Sequence, residues 1–148
     1  MLFQRVNRTD AEKVFTVINN ASGGAYVAGN VVEYDSGTSS DGIRTITPTT
    51  AGLSCVAGIV TGAVANGAYG TVQIYGLASA RVINDVTTAL VAGKILVPVN
   101  AQLDLDSKAA GIAAADGKTG FFTALETNAT ATAGAITAAN RRVFVRAM

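Results

Sequence analysis

The chain has 148 residues, eleven basic and ten acidic side chains, one cysteine and no histidine. A chain of this size buries a core without staples. The single Cys55 excludes an internal disulfide and the lack of histidine removes the usual zinc ligand sets, while a net charge of +1 with no run of Lys or Arg lacks the footprint of phosphate-backbone binding, so no nucleic acid partner is expected.

Only 14% of the residues are charged, against about 25% in ordinary soluble proteins. Much of the surface is therefore polar but uncharged, or covered by neighbours, which points to a subunit of an assembly. The first eight residues, MLFQRVNR, lack the apolar core of a signal peptide, and no stretch approaches the roughly 18 apolar residues of a membrane span. The expectation is cytoplasmic synthesis as a soluble protein with no membrane partner. Residues 1–12 read as an N-terminal arm, in which Leu2, Phe3 and Arg5 combine bulk and charge suited to anchoring on another subunit. Residues 13–148 read as one β-rich domain.

The first strand pattern is KVFTVI at 13–18, stopped by NNASGG at 19–24. NVVEYD at 30–35 and the alternating IRTIT at 43–47 flank a polar loop and suggest a hairpin that Pro48 ends. CVAGIV at 55–60 is a short apolar run of small and β-branched residues, the mark of a buried strand, which makes Cys55 an inert buried thiol. Asn66-Gly67 is the strongest turn signal, and YGTVQIYG after it alternates cleanly, Val72 and Ile74 against Thr71, Gln73 and Tyr75. Residues 78–83 and KILVPV at 94–99 continue the theme, Pro98 placing the latter at a sheet edge or bulge. An Ala-rich stretch between Ser107 and Asp116 has helical propensity, yet Gly111 interrupts it, so a turn of helix or a loop is expected. GFFTAL at 120–125 and RRVFVR at 141–146 supply two more strands, separated by an Ala/Thr-rich excursion over 127–140. Short strands with turn signals about every 10 residues predict a mainly β, single-domain antiparallel β-sandwich or small β-barrel with little helix.

Chemistry-bearing constellations are sparse. Asp104-Leu105-Asp106 places two carboxylates on one strand face, as a calcium site needs, but six to eight oxygens would require Asn100 and Asp116 as well, and a solvated strand end is the preferred account. Nucleophilic catalysis lacks a histidine base, no pair of carboxylates stands out for glycoside hydrolysis, and the glycines between 58 and 76 form no phosphate-binding fingerprint. No enzymatic activity, metal or cofactor is expected. Tyr26, Tyr34, Tyr69 and Tyr75 read first as half-buried sheet residues; of the functional assignments, interface use is preferred to sugar stacking, with Tyr69 and Tyr75 as the candidates.

The segments EKVFTVINN at 12–20, VAGNVVEYD at 27–35, VAGIV at 56–60, GAYGTVQIYG at 67–76, GKILVPVN at 93–100 and VFVR at 143–146 follow one another in an order that resembles small tailed-bacteriophage capsid decoration, or cement, proteins. The resemblance spans most of the chain and rests on strand and turn patterns. It implies a β-rich domain, often a homotrimer, on the outer surface of an expanded virion head, where it bridges major capsid protein subunits. Two other readings fit the same residues: a head fibre base, neck or tail component, and a carbohydrate-binding module using the tyrosines and the 104–106 carboxylates.

Overall fold

A computed structural model of the chain describes residues 12–38, 41–49, 55–84, 89–106, 121–128 and 137–147. The regular elements among them are all strands: β1 (Val14–Asn20), β2 (Val31–Tyr34), β3 (Arg44–Ile46), β4 (Val56–Val60), β5 (Tyr69–Asn84), β6 (Ile95–Pro98), β7 (Leu105–Asp106), β8 (Phe122–Ala124) and β9 (Thr137–Arg146). The fold is mainly β and forms a single domain. The arm expected over 1–12, with Leu2, Phe3 and Arg5, lies outside the described residues except for Glu12, and so does the stretch from Ser107 to Asp116.

The strands join in the order β1-β3-β2-β4-β5-β7-β6-β8-β9, and two further pairings, β1–β5 and β5–β9, close that ribbon into two rings. The first ring is β1, β3, β2, β4 and β5; the second is β5, β7, β6, β8 and β9. Each ring is a small barrel of five strands, and the 16-residue β5 belongs to both. All pairings between these strands are antiparallel except β1–β3 and β5–β7. The sequence suggests two separate patterns, at 69–76 and 78–83; they are one strand. Tyr75 is where one ring passes into the other, since it pairs with Val14 of β1 and with Arg146 of β9.

Each ring encloses its own core. Ile18, Tyr26, Val60, Val64 and Val72 fill the first; Ala80, Val82, Leu96, Leu105, Phe122 and Val143 fill the second. Burying a side chain the size of Phe122 contributes about 1.5–3 kcal/mol. β2 and β4 serve both cores: Val32, Ala57 and Val60 belong to the first, Val31, Val56 and Ile59 to the second. β4 is accordingly buried along its whole length, which is why it reads as an unbroken apolar run and not as an alternation.

A bulge reconciles that double duty with the period of two. Val32 pairs with Gly58 and Glu33 with Val56, so Ala57 is the extra residue and the faces of β4 change sides there. Gly58 takes φ +141, and a Cβ on it would lie 2.5 Å from the Gln73 carbonyl oxygen, so only glycine fits.

Three features depart from the sequence expectations. β6 is flanked on both sides, by β7 and β8, so Pro98 does not mark a sheet edge. It ends the strand and is buried; Val99 donates to the Asp104 carbonyl at 3.1 Å, so the neighbouring Pro98–Leu105 pair is of the type whose backbone N–H points away from β7, and no hydrogen bond is lost there. β9 begins at Thr137 and not near Arg141, because its first residues pair with the far end of β5 down to Asn84; Ala and Thr there carry too little bulk to announce a strand. Cys55 is half-buried and not enclosed, since it stands just before β4 enters the core.

Candidate interaction face

On antiparallel strands, directly opposed residues share a face. The odd-numbered residues of β5 point away from the cores, and with their cross-strand partners they make two outward patches, one per ring.

The first patch is apolar and uncharged. Tyr69 is 72% exposed, and β1 presents Phe15 and Val17 beside it, 51% and 56% exposed. Asn19 stands opposite Tyr69, Val17 opposite Thr71 and Phe15 opposite Gln73. Thr61 and Thr71 close the margin through a 2.6 Å hydroxyl contact. Gln73 is buried, and its amide donates to the carbonyls of Tyr75 at 3.0 Å and Leu77 at 2.9 Å, which holds β5 at the junction of the rings. A groove of about 280 Å³ at that junction has Lys13, Phe15, Gln73 and Ser79 among its walls.

The second patch is aromatic with arginines around it. A row of direct partners crosses four strands: Ile95 of β6, Thr123 of β8, Phe144 of β9 and Leu77 of β5. Tyr75 packs edge-on against Phe144, with ring centres 5.3 Å apart and planes at 79°, a favoured aromatic geometry. Arg142 and Arg146 stand on either side of Phe144 along β9, opposite Ser79 and Tyr75. Glu126 reaches Arg142 Nε at 3.4 Å and Arg141 Nη1 at 3.7 Å.

The expected site residues thus separate. Tyr69 and Tyr75 share the outward face of β5 but sit in different patches. Leu2, Phe3 and Arg5 lie outside the described residues. Sequence reading passes over Phe15, Val17, Phe144, Arg142 and Arg146 as site residues, although the alternation in RRVFVR already puts Arg142, Phe144 and Arg146 on one face.

The other tyrosines and Asp104 have structural occupations. Tyr26 is buried, and its hydroxyl donates to the Thr45 carbonyl at 2.9 Å. Burial pushes its pKa above the usual 10.0, against the opposing pull of hydrogen bonds with Thr45 and Ser22. Tyr34 is half-buried. Asp104 accepts from Arg81 Nε at 2.7 Å, so the carboxylate that would start a calcium site is an arginine's partner. That pair lies in the wall of a cavity of about 510 Å³, shared with Val27, Asn30 and Gln102. Among the described residues no group of three or more His, Cys, Asp or Glu is placed to hold a metal.

No family model matches the chain, and no curated protein matches it. Among solved structures the chain is similar to the N base of head fiber gp8.5 in bacteriophage phi29, with 14% sequence identity, a TM-score of 0.51, and coverage of 90% of this chain and 94% of that one. At such identity the likeness is one of fold.

Proposed function

We propose that the chain is a structural, non-catalytic protein of a tailed-bacteriophage virion, which decorates the outer surface of the expanded head by bridging major capsid protein subunits. The observation that carries this reading is the fold, which a phage head fibre base shares over nearly its whole length. The low charge and the two outward patches support it, since both suit a protein whose faces are covered by neighbours. A protein that binds only the assembled lattice stabilises it by mass action, adding RT ln(1 + [L]/Kd) at every site, and needs no cofactor. Self-association as a homotrimer belongs to the same proposal.

A second reading has the same support: the chain is itself the base of a head fibre, attached in fewer copies. Co-sedimentation of the purified protein with DNA-filled and with unexpanded heads of its phage separates the two. Saturation at hundreds of copies on filled heads is the expected result for decoration. Saturation at a few dozen or fewer indicates a fibre base, and failure to bind either particle overturns both. A carbohydrate-binding module has less support, because Tyr26 is buried and Asp104 is engaged by Arg81.

A further inference from the structure

We propose that the outward face of β8, β9 and β5 in the second ring docks an extended, acidic segment of a partner protein, with Phe144 and Tyr75 as the apolar anchor and Arg142 and Arg146 receiving carboxylates on either side. The inference rests on the reading of the chain as a subunit-binding virion protein and names the chemistry of one of its partners.

Three observations carry it: the spacing of two arginines, a packed aromatic anchor and the charge of the face. Arg142 and Arg146 are both exposed and, four residues apart on one strand, stand about 13 Å from one another on the same face. An extended segment with carboxylates at positions i and i+4 has the same spacing, and its side chain at i+2 then falls on Phe144. The anchor is rigid: Phe144 is held edge-on by Tyr75 and flanked by its cross-strand partners Leu77 and Thr123. Tyr and Arg together are the residues that dominate binding energy at protein interfaces.

The charge of the face is one-sided. Arg142 and Arg146 flank Phe144 on it, and among the described residues the carboxylate paired with either is that of Glu126, which Arg141 also approaches from the other side of β9, in a chain whose net charge is only +1. Glu126 already shows what these arginines take: its two oxygens face Arg142 and Arg141, a carboxylate held between guanidinium groups. No carboxylate among the described residues pairs with Arg146, and its side chain is exposed. A second copy of the same face would bring arginine to arginine, so self-association here is disfavoured by like charge. Nucleic acid fits less well, because two exposed arginines around one glutamate fall short of the several phosphate contacts that such binding needs.

The test is a heteronuclear NMR titration of the labelled full chain with a short peptide that alternates threonine with Glu, Leu and Glu, and with its counterpart carrying Lys for both Glu. The expected result is a set of shifts confined to Tyr75, Leu77, Thr123 and the β9 amides around Phe144, at least about tenfold weaker in apparent affinity for the Lys peptide and lost in the double variant Arg142→Glu, Arg146→Glu. Equal response to both peptides, shifts centred on Phe15 and Val17, or tighter binding of a single-stranded oligothymidylate at this face each overturns the proposal. So does no response at about 5 mM peptide, where even a millimolar contact is mostly occupied. Because the wild-type chain meets both peptides, the result stands whether or not the double variant folds. Co-sedimentation with heads keeps the two levels apart: a double variant that binds heads as well as the wild type does overturns this face alone. Wild type that fails on heads while keeping the peptide response overturns the virion reading and leaves the face.

Discussion

At the scale of single residues, the junction between the rings depends on polar side chains buried with partners. Gln73 satisfies two carbonyls of β5 where the strand passes from one ring to the next. Gln73→Ala leaves both without that donor and is expected to lower unfolding free energy by about 1–3 kcal/mol, read from a denaturant midpoint. Tyr26 makes a sharper case, because its burial has a pH signature. The unfolded chain ionises this tyrosine near 10.0, whereas the folded chain holds the proton to higher pH. The contribution of Tyr26 is thus fully present below pH 10 and is lost as pH rises toward the raised folded value, since the unfolded state releases the proton first. Tyr26→Phe is expected to cost about 1 kcal/mol at neutral pH, through loss of the hydrogen bond to Thr45. It is also expected to flatten the decline in stability above pH 10, measured by melts across the alkaline range.

At the scale of elements, β5 is the critical one. Ala80→Pro is expected to abolish folding of both rings, because Ala80 pairs with Arg141 inside a long ladder and proline cannot sit there; amide exchange would show protection lost in β1 and β4 as well as in β9. Most strands were legible in the sequence, and the reasons are physical. β1, β2, β4 and the first half of β5 are rich in Val, Ile, Phe and Tyr and are bounded by Asn-Gly or Gly-rich turns, so pattern and propensity agree. What stayed hidden was non-local. Nothing in residues 69–84 announces that one strand serves two barrels, because Leu77 and Ala78 at the crossover look like any strand residues. The start of β9 was invisible for want of side-chain bulk. Pro98 misled because its missing donor points away from β7, so its pairing with Leu105 loses nothing. The interaction face was half legible: Tyr69 and Tyr75 stand out as tyrosines, while Phe15 and Val17 look like core until β1 is seen to turn them outward.

At the scale of the whole molecule, the two cores are not independent units. β2 and β4 line both, and β5 runs through both. Unfolding is expected to be one cooperative transition, with calorimetric and van't Hoff enthalpies equal within error; two resolved steps would show that each ring stands alone. The shared strand also has a mechanical meaning. In an antiparallel ladder the hydrogen bonds lie across the strand direction, and β1 holds the first half of β5 while β9 holds the second. Tension along the axis of β5 therefore meets both ladders in shear, where all the bonds of a ladder bear the force together, and it meets a continuous peptide backbone between them. The two barrels cannot be pulled apart at a linker, for β5 itself is what joins them.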